Sequence, residues 1–447
     1  MNKSLLIRFA IFFSALPSAM GQTTSISPYS WFGVGQFATG QLPQQMLTGF
    51  SSATQRTPFY INPMQPASLS ALRYSTFESG GSYQGVVQSN QQEKVLNNTG
   101  GFQSFAFAVP LNKRIGIAAS MQPFSSVGYT FVDSAYDPGF GSAKYTYSGR
   151  GGLNQATFGI GIAPWKWFSI GATAQYLFGS MDKKTALDFD NQQFRNVGSS
   201  ERLFVSGWHS TVGAQLILPL GKKNQFVMGA TQEFGGELQG YRSALLYTYA
   251  NSSSSTQIIL DTAEAEIDAA GDMTLAGART VGARYSRRAA GSPMDVWSVQ
   301  WEQRTFFGEE YRTFVTDANG GTGQTNEWIN GRRWSMAATF IPALVLPKKN
   351  WTQYASSVEY KVGFLQENTG LLIRSTPIER WSLSLGAGFP LGGKSFIPGD
   401  IKFATLHFGV LFGSVGTQVG GLVREDFVQG VVGITLNDQW FQKFKFR

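Results

Sequence analysis

The chain has no cysteine among its 447 residues. That excludes disulfide frameworks, thiolate zinc sites and thiol nucleophiles. Charge is scarce as well: Asp, Glu, Lys and Arg make up 14% of the sequence, against roughly 25% in a typical soluble domain. Histidine occurs only at His209 and His407, and no third metal ligand stands beside either one. Beyond the first residues, no apolar run approaches the ~20 residues that a membrane-crossing helix needs. Basic residues exceed acidic ones, for a formal net charge of +8, but they are scattered. No basic array interleaved with stacking aromatics is present, so nucleic acid is not an expected partner. Phosphate loops, zinc spacings and EF-hand patterns are missing too, and no cofactor is expected.

What the chain does have is glycine, aromatic residues and a two-residue rhythm. Gly accounts for 52 positions and aromatics for 14%. Trp381, Leu383, Leu385, Ala387 and Phe389 alternate with Ser382, Ser384, Gly386 and Gly388. The same beat runs through Phe158 to Ile162, Phe168 to Phe178, and Ala404 to Phe412. Successive side chains of a strand point to opposite faces, so this pattern gives one oily face and one small or polar face. Repeated from near residue 70 to the end, it predicts an all-β transmembrane antiparallel barrel. A soluble secreted β protein is the competing reading.

Three segments are expected. Residues 1–21 read as a cleaved secretory leader, with Lys3 and Arg8, a short apolar stretch and Ala19-Met20-Gly21. Residues 22–70 carry five prolines and little alternation, so they are not central strands. Their aromatics need something to pack against, and inside a barrel that is the lumen. Residues 71–447 hold fourteen strand candidates, from 71–87 to 426–446, the eleventh over 352–364, with Ala263 to Ala270 in the 257–288 candidate also readable as a short helix. Short turns such as 110–113 and 164–167 are expected to alternate with longer polar ones at 133–142, 190–201 and 308–327, the pattern of periplasmic turns and external loops. Asn97-Asn98-Thr99-Gly100 reads as a turn. The end, with Trp440, Phe441, Phe444 and Phe446, reads as a closing aromatic strand.

Arg56-Thr-Pro-Phe-Tyr-Ile-Asn-Pro-Met-Gln-Pro-Ala-Ser-Leu69 resembles the Asn-Pro-Ala segment of the FadL/TodX family of outer-membrane transporters for hydrophobic molecules. Asn62, Pro63, Pro66 and Ala67 carry the match; Met64 stands where Ala is expected. The opening Ser27 to Gly35, the Tyr176 to Gly179 strand and Gly433 to Phe441 look like a Bacteroidota-like branch of that family. The resemblance implies fourteen strands, an N-terminal hatch over 22–70 plugging the lumen, and a lateral opening at a kink in the third strand. Pro123 interrupts the third strand candidate and is the expected counterpart of that kink.

The expected function is passive uptake of a hydrophobic small molecule, long-chain fatty acid or hydrocarbon-like, through an outer-membrane channel. Tyr29, Trp31, Phe32, Phe37, Phe50, Phe59 and Tyr60 are the expected pocket aromatics. Outer-membrane lipid and the small molecule are then its partners, with protein partners in an envelope complex under the alternative, a structural or accessory barrel subunit of a secretion or assembly complex. An enzyme is not expected: His209 and Ser210 fall on opposite faces, which separates the only adjacent nucleophile and base.

Overall fold

The computed structural model describes residues 25–38, 42–139, 141–191, 193–251, 257–288, 294–316, 327–342, 350–391 and 403–438. The leader and the four C-terminal aromatics lie outside them. Fourteen antiparallel strands close into a barrel. They are β1 (Ser75–Ser89), β2 (Lys94–Pro110), β3 (Ile115–Asp137), β4 (Gly141–Trp165), β5 (Phe168–Phe189) and β6 (Asn196–Leu220). β7 runs as Asn224–Phe234 and Gly236–Asn251, and β8 as Gln257–Leu275 and Ala278–Arg288. β9 runs as Asp295–Phe306 and Arg312–Thr316, followed by β10 (Gly331–Phe340), β11 (Glu359–Ile373), β12 (Thr376–Leu391), β13 (Phe403–Val415) and β14 (Arg424–Asp438). β14 pairs with β1 from Arg424↔Ser89 to Asp438↔Ser75, which closes the ring. The end reached by Asp438 is the base, and the opposite end is the rim.

The wall is inside-out relative to a soluble protein. Trp381 and Leu385 are 45% and 48% exposed, whereas Ser382 and Ser384 are each 1% exposed. The oily face meets lipid and the small face meets the lumen contents. Residues 25–38 and 42–72 fill that lumen. From Pro43 to Leu69 this stretch runs once around the inner wall, and lumen-facing glycines mark its track. A Cβ on Gly433 would meet Pro43, on Gly409 Leu47, on Gly363 Gly49, on Gly229 Ala53, on Gly171 Pro66 and on Gly116 Leu69. The many wall glycines therefore let plug backbone lie directly on wall backbone.

Several local expectations are corrected. Residues 257–275 are strand throughout, because pairing with β7 outweighs the helix preference of the Ala-rich stretch. Asn97 to Gly100 lies within β2, opposite Val86 to Tyr83; ladder bonding overrides the turn preference of Asn and Gly. The eleventh strand starts at Glu359, after a short helix Trp351–Ala355, rather than at 352. The connection expected over 133–142 is mostly strand, with β3 and β4 paired out to Asp137↔Gly141. Between β3 and β4, paired strand rather than a long loop makes the rim.

Candidate functional site

The plug is fastened to the base half of the wall by directional polar bonds. The Glu302 carboxylate accepts the backbone N–H groups of Ser52 and Ala53, both at 2.6 Å, and Arg333 approaches its other oxygen at 3.4 Å. Glu78 accepts the Ile61 N–H at 2.6 Å. Arg56 donates to the Ala67 carbonyl, Ser70, Ser169 and Gln215 within 3.2 Å. Burial, reinforced by Arg73 and Arg288, pushes its pKa down to about 10. Charge-assisted bonds of this kind are the strong ones. Asn62 is the hub of the motif: its side chain accepts from Gln45 at 2.9 Å and donates to the Ser52 and Gln55 carbonyls at 2.8 and 3.3 Å. Pro66 and Ala67 open a 3₁₀ turn, Pro66–Ala71, that lies against β4 and β5. Pro63 directly follows the hub.

The rim half is filled differently. Tyr29, Val34, Met46 and Phe50 pack with Leu153, Leu177, Met181, Val205, Leu238 and Met273 of the wall in one apolar cluster, and Trp31, Phe32 and Phe37 pack against it. Trp31 rests among Tyr129, Phe131 and Tyr147 with ring centroids 5.3 to 5.8 Å apart. Tyr29 donates its hydroxyl to the Val423 carbonyl, and burial pushes its pKa up to about 12. The expected aromatics thus divide. Tyr29, Trp31, Phe32, Phe37 and Phe50 share the apolar cluster. Phe59 instead stacks on Tyr74, and Tyr60 donates to Glu359 at 2.8 Å beside Lys361 and His407.

The wall itself parts beside this cluster. β2 pairs with β3 only from Pro110↔Gly116 to Phe105↔Met121. Above that level β2 continues with β1 alone, and β3 with β4. Both strands carry an irregularity where they separate: Gln103 is skipped in the β1–β2 ladder, and Phe124 in the β3–β4 ladder. Pro123 sits at this point. A ladder continued past it would lack its N–H, and Pro inside a sheet favours a bulge. The plug takes over the vacated edge of β3. Gln36 and Phe37 pair with Ser126 and Ser125, and Ala38 N–H donates to the Phe124 carbonyl at 2.9 Å. Met121 lies six residues from the strand start at Ile115. With ~3.3 Å per residue and a tilt near 40°, the parting begins about 15 Å above the base turn, mid-height in an apolar band of about 25 Å.

Two cavities of about 120 Å³ each lie behind this window. The first reaches from Pro123 and Gln103 inward to Met46, Phe50 and Phe427. The second is lined by Tyr29, Phe124, Phe306, Trp328 and the buried pair Arg304–Glu233. Phe37 and Arg380 line both. A cavity of about 150 Å³ can hold a benzene ring; each of these spaces is somewhat smaller. Arg380 and Gln103 were not singled out by the sequence. The parity of Arg380 with Ser382 and Ser384 does put it on the lumen face, but only the folded wall shows what it faces.

Comparison with known proteins follows this geometry. The BamG family model matches residues 1–447. The chain belongs to the BamG family. No curated protein matches it in sequence. Solved structures do share its fold. A FadL homologue of Pseudomonas aeruginosa is 11% identical with a TM-score of 0.56, covering 91% of this chain and 100% of its own. The Ralstonia pickettii toluene transporter TbuX is 13% identical with a TM-score of 0.54, covering 89% and 98%. The Pseudomonas putida toluene transporter TodX is 12% identical with a TM-score of 0.53, covering 91% and 99%. This BamG-family chain therefore has the plugged outer-membrane barrel fold of the FadL and TodX structures.

Proposed function

We propose that the protein is a non-enzymatic outer-membrane conduit passing small hydrophobic molecules between its lumen and the bilayer. The observation that carries this reading is the meeting of a wall parting and an internal cavity at Pro123. The polar fastening of the base closes the straight route through the barrel and leaves the side window as the exit. Phe37, Phe50 and Tyr29 line the cavities, while Trp31 and Phe32 hold the apolar cluster around them. The toluene transporters of the same fold support a one-ring cargo. A cross-link across the window is the test. Gln103→Cys with Ser126→Cys, both at the first cavity, gives unique thiols in a chain without cysteine. Joined by a cleavable bifunctional reagent, they should reduce toluene entry into proteoliposomes to the rate of empty liposomes, and cleavage should restore it. Unchanged entry with the window closed contradicts the reading.

A second reading is an accessory role beside a partner protein, and one surface favours it. The first part of β8, Gln257–Leu275, carries Asp261, Glu264, Glu266, Asp268 and Asp272 with no Lys or Arg. Ile258, Ile259, Leu260 and Ile267 on it are exposed. Cross-linking in intact outer membranes should give an adduct to another protein that Asp261→Lys with Glu264→Lys abolishes. An adduct pattern unmoved by that charge reversal removes this reading.

A further inference from the structure

We propose that the outer wall over β4–β8 carries a binding site for a phosphorylated glycolipid of the leaflet that meets the rim, apart from the window between β2 and β3. The wall supplies its own ruler. From Phe168 the lipid-facing row of β5 runs through Ile170, Ala172, Ala174 and Tyr176 to Phe178. At ~3.3 Å per residue and a tilt near 40°, that row rises about 25 Å, the height of an apolar band. Trp165 and Trp167, stacked on each other, mark its lower edge. Tyr176, in ring contact with Phe178 at 5.9 Å and Trp208 at 5.1 Å, marks its upper edge. Aromatic belts of this kind lie at the level of the lipid heads.

At that level a groove of about 910 Å³ opens in the outer wall among Phe178, Phe204, Glu237, Gln239, Tyr241 and Asp272. Phe204 and Tyr241, opposite each other on β6 and β7, are 47% and 56% exposed. One step nearer the rim, the lipid-facing row turns basic. Asp182 follows Ser180 of the groove and stands between Arg150 of β4 and Arg202 of β6. Both arginines bind it through Nε, at 3.2 and 2.6 Å. Their terminal nitrogens make no hydrogen bond among the described residues, and the two side chains are 68% and 55% exposed. Lys183 turns inward to the Trp31 carbonyl, which leaves Lys184 on the lipid-facing row, exposed. Three cations thus share one carboxylate directly above the aromatic girdle.

The two sides of the site ask for different groups. Guanidiniums with unoccupied outer nitrogens match phosphate, and cations at this height meet lipid heads rather than tails. On the β7–β8 side, exposed rings stand beside Glu237, Gln239 and Asp272. Flat apolar faces flanked by hydrogen-bond acceptors suit the C–H face and the hydroxyls of a sugar ring. The carboxylates on that side repel phosphate. The phosphate therefore lies over β4–β6 and the sugar over β7–β8, with acyl chains descending along the apolar band. A phospholipid without a sugar satisfies only the first side.

The test titrates the full-length protein in detergent micelles with diphosphoryl lipid A, its dephosphorylated form and phosphatidylglycerol, and follows bound lipid by native mass spectrometry with and without EDTA. The diphosphorylated glycolipid should bind at least about tenfold more tightly than either other lipid, as expected of two arginines at a head-group surface, and EDTA should not change this. Arg150→Gln with Arg202→Gln should bring it to the level of the dephosphorylated form. Tyr241→Ala should weaken both glycolipids about equally and leave phosphatidylglycerol unchanged. Lys113→Gln with Arg114→Gln, the same loss of charge at an exposed base turn, should change nothing. All of these side chains are exposed, and unchanged melting temperatures show that folding is intact; the comparison among lipids decides the preference without any variant. Equal binding of the three lipids, loss of binding in EDTA, equal effects of the two charge-removing pairs, or no binding at all overturns the proposal. The window assay with toluene decides the conduit reading separately, since the two sites lie on different parts of the wall.

Discussion

The base and rim halves of the lumen are filled by two neighbouring stretches of the same N-terminal segment, but in different ways. At the base, residues 51–72 lie against wall glycines and are fixed by Glu302, Glu78, Arg56 and Asn62, while Met46 and Phe50 reach the apolar cluster of the rim half. Near the rim, residues 25–38 join a large apolar cluster, with two rungs of ladder to β3 and further bonds to Glu425, Gln88, Lys183 and Ser125. Directional bonds to charged groups leave a single solution, whereas apolar contacts tolerate gaps and shifts. The cavities and the parted wall occur in the half that holds the large apolar cluster. Under the proposed function, the difference is that between a seal and a site.

The sharpest way to break this contrast is to obstruct the base. Gly229→Leu places a side chain where the Ala53 backbone lies. It should destabilise the plugged state by several kcal/mol, in the overpacking range and beyond. Trypsin should then cut at Arg56 in the folded barrel, where the unmodified protein resists. Next is Glu302→Ala, which strands two plug N–H groups and Arg333. A loss of about 3–5 kcal/mol is expected in denaturant unfolding, with Glu302→Gln milder. Asn62→Ala removes the hub of the plug's own bonds and should cost about 2 kcal/mol in the same measurement. The smallest stability change belongs to the rim side. Pro123→Ala restores an N–H at the parting and should alter stability by less than about 1 kcal/mol. It should nevertheless slow toluene entry into proteoliposomes. A large loss of stability with unchanged entry would reverse the assignment of seal and site.

Much of the wall was legible because the bilayer enforces it. Lipid on one side and plug on the other demand the alternation seen at Trp381 to Phe389, and the fourteen candidates correspond one to one with the strands. Pro123 was legible because a missing N–H is a property of the residue alone. Partnership was not legible. Nothing near Glu302 in sequence announces Ser52 and Ala53, which lie some 250 positions away. The glycines reveal a small lumen face but not the course of the plug across it. Asn97 to Gly100 misled because local turn preference is weaker than a ladder with β1. Arg380 was readable as lumen-facing, but the rings of Phe50 and Phe427 that it lies over were not.

The central claim is that hydrophobic molecules occupy the space behind the window. A small diazirine-bearing aromatic hydrocarbon, photolysed with the protein in lipid and mapped by peptide mass spectrometry, tests it most directly. The account predicts adducts at Phe37, Phe50 and Gln103 that excess toluene competes away. Adducts confined to the lipid-facing residues, such as Phe102, Trp381 and Leu385, with none at Phe37 or Phe50, would contradict it.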